Sequence, residues 1–232
     1  MMNNVLHLDT IKSQRSLSAI LVSDMVGYSR LMQIDAIYLR EQFKLINNQI
    51  ILPLVKKYNG QIIKTMGDGH LLKFNSIHNA VNYALNFQER INNFNIEISE
   101  EKNIYFRIGI NLGEVILEEN DIFGDAVNIA SRIEGQCEPK KILISKLAYD
   151  CLDSKARENF KFLETKQLKN ISNPVDVYVC KNLFLEEQLE NNKEELLPSL
   201  VVLPFANSSD DEEQNYLAEG ISEDLISGAN KI

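Results

Sequence analysis

The stretch "IIKTMGDGHLLKF", residues 62 to 74, sets one carboxylate, Asp68, between two glycines and between two apolar runs. An Asp-Gly pair between apolar runs is typical of a β-hairpin. Turn chemistry alone can account for Asp68, because aspartate and glycine suit tight turns. A carboxylate at the tip of a turn is also a ligand that divalent cations accept. The stretch therefore predicts a hairpin, and the surrounding sequence bears on whether Asp68 is structural or binds a metal.

Further elements are predicted on both sides of the hairpin. The apolar run "SLSAILVSD", residues 16–24, is typical of a buried strand that ends at Asp24, and a turn containing Gly27 follows. Apolar residues three, four and one apart predict a helix over about 31–58, and a second apolar stripe predicts a helix over 77–95. The order strand, helix, hairpin, helix indicates an α/β domain.

The boundaries of these elements depend on a few special residues. Pro53 is expected to kink or break the first helix, and Gly60 to cap its C-terminus. The run "IYFRIGINLGEVILEE", residues 104–119, is interpreted as a second hairpin, and residues 121–136 as a loop leading into a helix. Three later strands are predicted at residues 141–145, 160–164 and 176–180.

The fold class expected from this order is α/β, with a ferredoxin-like mixed sheet core of βαββαβ type and additional strands, covered by helices on one face. This core domain is expected to occupy residues 16–182. Residues 1–15 remain unassigned. The acidic run at 183–198 is interpreted as a helical linker, and 199–232 as the truncated start of a second α/β unit.

Composition and net charge limit the classes of partner that the protein is expected to bind. The chain has 232 residues, 44% hydrophobic and 25% charged, as expected of a globular protein with one sizeable domain and an appendage. Its net charge of −9 argues against a nucleic-acid surface. An anionic substrate would therefore need metals or a few well-placed cations.

Cysteine usage and hydropathy favour a soluble, cytoplasmic protein. The three cysteines, Cys137, Cys151 and Cys180, are odd in number and lack metal-ligand spacing, which favours reduced thiols. No apolar run approaches the roughly 20 residues that span a bilayer. The N-terminal residues have no apolar core of the signal-peptide kind.

Four motifs together resemble one enzyme family. The segments "AILVSDMVGYSRLM", "IIKTMGDGHLLKF", "RIGINLGEV" and "DIFGDAVNIASRIEG" occur in the order, and at separations, similar to those of the class III nucleotidyl cyclase catalytic domain. The resemblance covers roughly residues 17–180. Several motifs in register are far more specific than any one alone.

The resemblance implies a site made of residues from distant parts of the chain. Asp24 and Asp68 match the two metal-binding aspartates, and Lys64 and Asp121 match the pair that reads the adenine edge. Two helical residues four positions apart match those that stabilise the transition state, and a glycine and a lysine match phosphate contacts. These last four are Asn128, Arg132, Gly27 and Lys169.

The resemblance also implies the chemistry and the assembly. An adenylate cyclase of this family converts ATP to 3′,5′-cyclic AMP and pyrophosphate, with two Mg²⁺ (or Mn²⁺) per active site. Mg²⁺ often needs only one or two protein carboxylates, because phosphates and waters complete its octahedron. In this family the metal aspartates of one subunit face the other residues of a second subunit, so a head-to-tail homodimer is expected.

Each of these site residues, taken alone, also suits an ordinary structural role as a turn acid, cap or surface charge. His70, which follows the hairpin turn, is expected either to pack or face solvent, or to influence the metal site. Glu114 stands where some relatives place an arginine toward the phosphates. Asp125 is interpreted as a carboxylate at a helix start and Glu134 as a solvated charge.

Two alternative functions also remain. The first is a catalytically weak, cyclase-like module that senses nucleotide or dimerises. The second is a guanylate cyclase, which the residue types at Lys64 and Asp121 oppose, because guanine presents the reverse donor and acceptor pattern.

Overall fold

The computed structural model describes residues 14–96, 98–118, 121–171 and 173–181, and within them eight strands form one mixed sheet. The strands are β1 (Gln14–Met25), β2 (Gly60–Met66), β3 (Gly69–Phe74), β4 (Phe106–Glu118), β5 (Asp121–Phe123), β6 (Ile142–Ser145), β7 (Phe160–Lys166) and β8 (Val175–Cys180). The helices are α1 (Tyr28–Ile46), α2 (Leu52–Lys57), α3 (Ile77–Asn95), α4 (Asp125–Glu134), α5 (Lys146–Asp150) and α6 (Ser154–Arg157).

The sheet has the order β2-β3-β1-β4-β6-β8-β7, with β5 paired to β4. The β4–β6 pair is parallel and the other pairs are antiparallel. This arrangement confirms the predicted α/β class with a mixed sheet. The predicted hairpin at Asp68 and the three later strands are also present. The predicted linker at 183–198 and the second unit at 199–232 lie outside the described residues.

Apolar side chains on both faces of β1 are buried at the centre of the sheet. Ala19 and Leu21 pack with α1, α2 and α3 on one face, whereas Ile20 and Val22 pack against α4 on the other. The expectation of helices on one face only is therefore wrong. The uninterrupted apolar run in the sequence of β1 reflects this double burial.

Residues 104–119 do not form the predicted hairpin, because β4 is one continuous strand from Phe106 to Glu118. Gly113 suggested a turn, but a Cβ added there would lie 2.8 Å from the Cβ of Ala126. This glycine therefore marks a close approach of β4 to α4. The reversal of the chain comes after Glu118, before β5.

The first helical region is longer and less regular than predicted. Asp35 interrupts α1 with non-helical torsion angles, and its Oδ1 accepts a hydrogen bond from the backbone N–H of Tyr38 at 3.0 Å. A π-helical turn, Asn47–Ile51, precedes α2, and Pro53 lies in the first turn of α2, where its missing N–H is tolerated. The predicted glycine cap is wrong, because Asn59 takes the left-handed conformation (φ 50°) and Gly60 begins β2.

Across these described ranges, no helix is both long enough and apolar enough to cross a membrane.

Candidate active site

The two predicted metal ligands lie on neighbouring elements. Asp24 is near the end of β1, and Asp68 is in the turn between β2 and β3, the strand that pairs with β1. Gly69 permits the close approach, since a Cβ there would lie 2.4 Å from the Ser23 carbonyl oxygen and 3.3 Å from Asp24 Oδ1. Burial first, and then the negative charge of Asp24, raises the pKa of Asp68. The structure therefore brings these two carboxylates together.

This pair suits divalent cations held together with a phosphate-bearing ligand. Two neighbouring carboxylates concentrate negative charge and supply hard oxygen donors, which Mg²⁺ and Mn²⁺ prefer. In the part of the chain that the structure describes, no group of three or more His, Cys, Asp or Glu side chains could hold a metal.

Arg107 is a site residue to which the sequence analysis gave no role. It lies directly opposite Asp24 in the β1–β4 register, and its Nη2 donates to Asp24 Oδ2 at 2.7 Å. Its Nε lies 2.5 Å from Glu134 Oε1. Arg107 opens the motif "RIGINLGEV", but its contact with Asp24 depends on the register of β1 with β4, which the sequence does not give.

Glu134 is not the solvated charge that was predicted. Only 7% of its surface is exposed, because it ends α4 where that helix packs on β4. Burial raises the pKa of Glu134 to about 7, and the positive charge of Arg107 opposes this rise. Glu134 stands two residues after Arg132, which is exposed. Nothing in this sequence position indicated that Glu134 is buried.

Lys64 and Asp121 contact each other directly. The Lys64 ammonium donates to Asp121 Oδ2, and Asp121 Oδ1 accepts from the Ile122 N–H at 2.8 Å. The hydrogen bond from Lys64 lowers the pKa of Asp121. The register of β2 with β3 shifts between Ile62 and Lys64, and such bulges redirect side chains.

Asn128 and Arg132 both lie on the exposed face of α4. The opposite face of this helix packs on the sheet through Ala126, Ala130 and Ile133. Within the described residues, no hydrogen bond or ion pair joins these two residues, or the Lys64–Asp121 pair, to the carboxylates at Asp24 and Asp68. Lys64 and Asp121 contact each other, and Asn128 and Arg132 lie together on the exposed face of α4.

The two predicted phosphate contacts lie in turns. Gly27 has φ 70° at the N-terminus of α1, a conformation that favours glycine and directs the chain away from Asp24. Lys169 is exposed between β7 and β8. The structure shows no contact that ties Lys169, among the described residues, to the other site residues.

His70, Glu114 and Asp125 each have a defined environment. His70 is buried and its ring stacks on Phe43 with centroids 5.6 Å apart, so its predicted packing role is confirmed. Glu114 is exposed and pairs with Arg15 at 3.2 Å. Asp125 occupies the first turn of α4, as predicted.

A cavity of about 600 Å³ lies beside the start of α4, but it is not the predicted site. Its walls include Asn111, Asp125, Ile129 and Val175, and none of the eight predicted site residues lines it. Both Asn111 and its partner Ser145 are buried with their side chains hydrogen bonded at 2.6 Å. The predicted site residues therefore lie outside this cavity.

Comparison with known proteins identifies the family of the chain. The profile of the family described as "Adenylate and Guanylate cyclase catalytic domain" matches residues 12–180. A protein of Rhizobium meliloti (strain 1021) named "Putative adenylate cyclase 3" is 35% identical over an alignment of 225 residues, covering 94% of this chain and 38% of that protein. The chain therefore spans about two fifths of the length of that relative.

Solved structures extend the similarity. The adenylate/guanylate cyclase/hydrolase from Silicibacter pomeroyi is 38% identical, with a TM-score of 0.68 over 72% of this chain and 98% of that one. The adenylyl cyclase CyaB from P. aeruginosa is 22% identical, with a TM-score of 0.62 over 74% of this chain and 96% of that one, and shows the same fold. The chain belongs to the adenylate and guanylate cyclase catalytic domain family.

Proposed function

We propose that the chain is an adenylate cyclase, which converts ATP to 3′,5′-cyclic AMP and pyrophosphate. The observation that carries the choice of ATP is the Lys64–Asp121 pair, which presents one donor and one acceptor side by side. Lys64 can donate to adenine N1, and Asp121 can accept from the N6 amino group. Guanine offers O6 and N1–H at these positions, so GTP would leave buried polar groups without partners.

Asp24 and Asp68 would hold two Mg²⁺ (or Mn²⁺) ions. When bound, these ions would activate the ribose 3′-hydroxyl and neutralise the triphosphate. The two carboxylates would hold these ions at one place, and Arg107 offsets part of the negative charge of Asp24. These two residues therefore set where the triphosphate lies relative to the protein.

The remaining residues would orient and stabilise the reacting nucleotide. Asn128 can donate to a ribose oxygen and fix the direction of attack. Arg132 can offset the charge that accumulates on the α-phosphoryl oxygens, which a positioned guanidinium does well. The turn at Gly27 can present backbone N–H groups to the phosphates, and Lys169 can add a positive charge.

The separation of the groups on one chain supports a shared site. A subunit that carries Asp24 and Asp68 at one place and Asn128 and Arg132 on an exposed helix face can complete both halves by pairing with a second copy. Two copies in a head-to-tail arrangement would form two equivalent sites. A monomer would hold no complete site.

The direct test is product analysis on the purified chain. With ATP and Mg²⁺ or Mn²⁺, we expect cyclic AMP and pyrophosphate in equal amounts, and much less product from GTP. Asp24→Ala and Asp68→Ala should each reduce the rate by about a hundredfold or more. Nucleotide binding without any cyclic product would reject this proposal in favour of a nucleotide-sensing module.

A further inference from the structure

Arg107 lies between two carboxylates that belong to different elements. Its side chain is 33% exposed, that of Asp24 is 29% exposed, and that of Glu134 is only 9% exposed. Asp24 comes from β1 and Glu134 from the end of α4. One guanidinium thus joins the metal-binding edge of the sheet to the helix that carries Asn128 and Arg132.

The packing of α4 on β4 holds the Glu134 backbone in place. A Cβ added at Gly109 would lie 2.4 Å from the Glu134 backbone nitrogen and 2.5 Å from the Ala130 carbonyl oxygen. Gly109 follows Arg107 by two residues, so the two share a face of β4. The Glu134 backbone therefore lies close against β4, and its buried carboxylate lies beside the Arg107 side chain.

The contacts of Arg107 with Asp24 and with Glu134 differ in geometry. The Nη2–Oδ2 contact with Asp24 is a hydrogen bond of 2.7 Å. The Nε and Glu134 Oε1 atoms form a buried ion pair at 2.5 Å in which the N–H is not aligned with the oxygen. A small rotation of the guanidinium would align this N–H with the Glu134 oxygen. That rotation would loosen the bond to Asp24.

We propose that Glu134 is a positioning residue for Arg107. The Glu134 carboxylate remains paired with the Arg107 guanidinium when Arg107 releases Asp24. Arg107 would release Asp24 once Asp24 binds a divalent cation, because the cation takes the carboxylate oxygens and repels the guanidinium. The Nε–H would then form a full hydrogen bond with Glu134. A positive charge thereby stays beside the triphosphate without competing for a metal ligand. The release of Asp24 on metal binding rests on the proposed function. The pairing of Arg107 with Asp24 or with Glu134 in the absence of metal does not.

The first test follows the Arg107 Nε–H by NMR in EDTA, without metal or nucleotide. Arg107→Lys identifies the signal by its loss. In Asp24→Ala we expect the hydrogen exchange of this Nε–H to slow by about tenfold, because the guanidinium rotates to Glu134. Adding Glu134→Gln should abolish the slowing, and Glu134→Asp should restore part of it. The control Asp125→Ala, at an exposed carboxylate, should change nothing.

An equal exchange rate in the wild type and in folded Asp24→Ala would overturn the proposal. If Asp24→Ala does not fold, the same signal is followed while Mg²⁺ and 3′-deoxy-ATP, which lacks the attacking hydroxyl, are added to the wild type and to Glu134→Gln. Slower exchange in the wild type alone supports the transfer, and identical responses reject it. Because neither measurement needs turnover, an absence of cyclic AMP would count against the proposed function and not against this one.

Discussion

His70 is a buried imidazole that carries two ring nitrogens without hydrogen-bond partners among the described residues. Burial lowers its pKa from 6.5 to about 4. Between these values the unfolded chain binds a proton that the folded chain does not. Folding stability should therefore fall as the pH falls from about 6.5 to 4, by roughly 3 kcal/mol in total.

We expect His70→Leu to remove most of this acid sensitivity. Leucine has no polar atoms to bury, so the free energy of unfolding at pH 7 should also rise by about 1–2 kcal/mol. Urea unfolding at pH 7 and pH 5, compared between the wild type and His70→Leu, measures both effects. An unchanged difference between the two pH values would show that another group causes the acid loss.

Base selection is also a residue-scale property, because it depends on one donor and one acceptor. Lys64→Glu with Asp121→Cys removes the pattern that suits adenine and supplies an acceptor for guanine N1–H. The ratio of kcat/KM for GTP to that for ATP should rise by about a hundredfold. Lys73→Glu, on the adjoining strand, should leave the ratio as it is. An unchanged ratio in the double variant would mean that this pair does not contact the base.

The sequence of a local motif identifies the residue types that it contributes to a site. It does not show which residues become buried when distant elements pack together. The pairs Asp24 with Asp68 and Lys64 with Asp121 follow from motif identity and from a hairpin next to a strand. The burial of Glu134 follows from Gly109, which lets α4 approach β4 closely. That approach depends on a pairing of distant segments, so neither Glu134 nor Arg107 stood out in the sequence.

The contact of α4 with β4 is the element-scale feature that positions Asn128 and Arg132. Gly109→Ala would place a methyl group 2.4 Å from the Glu134 nitrogen and 2.5 Å from the Ala130 oxygen, which are backbone atoms that cannot turn aside. We expect a loss of about 1–3 kcal/mol in the free energy of unfolding, together with a lower kcat. Thermal and urea unfolding measure the first effect, and cyclic AMP formation the second.

Gly135→Ala is the matched control for this prediction. Gly135 has ordinary helical torsion angles, and a Cβ there would meet the Ser131 oxygen at 3.5 Å, which is a normal contact. Its stability should equal or slightly exceed that of the wild type. If Gly109→Ala proved as stable as Gly135→Ala, α4 would be free to shift, and the close packing would not be required.

Strand and helix periodicity predicted most elements, and the errors have a common cause. The hairpin wrongly expected at 104–119 and the cap wrongly expected at Gly60 both treated a glycine as a turn residue. In the structure Gly113 faces Ala126, and a Cβ at Gly60 would lie 2.5 Å from the Phe74 ring. Both glycines are required by contacts with other elements, which sequence patterns within one segment do not report.

At the scale of the whole molecule, the site residues divide into two groups. One group is Asp24 near the end of β1 with Asp68 in the β2–β3 turn, and the other includes Asn128 and Arg132 on the exposed face of α4. A site shared between two copies predicts complementation, since each subunit contributes one group to each site. A site completed within one chain predicts none.

Mixing two inactive variants separates these possibilities. Asp24→Ala and Arg132→Ala should each lose about a hundredfold in rate, because each removes one half of both sites in its homodimer. In an equal mixture, half of the dimers combine both chains and keep one intact site of two, so roughly a quarter of the wild-type rate should return. A mixture of Asp24→Ala with Asp68→Ala should stay inactive, since both lesions lie in the same group. If the first mixture also stays inactive while both variants are folded and dimeric, the site is not shared between subunits.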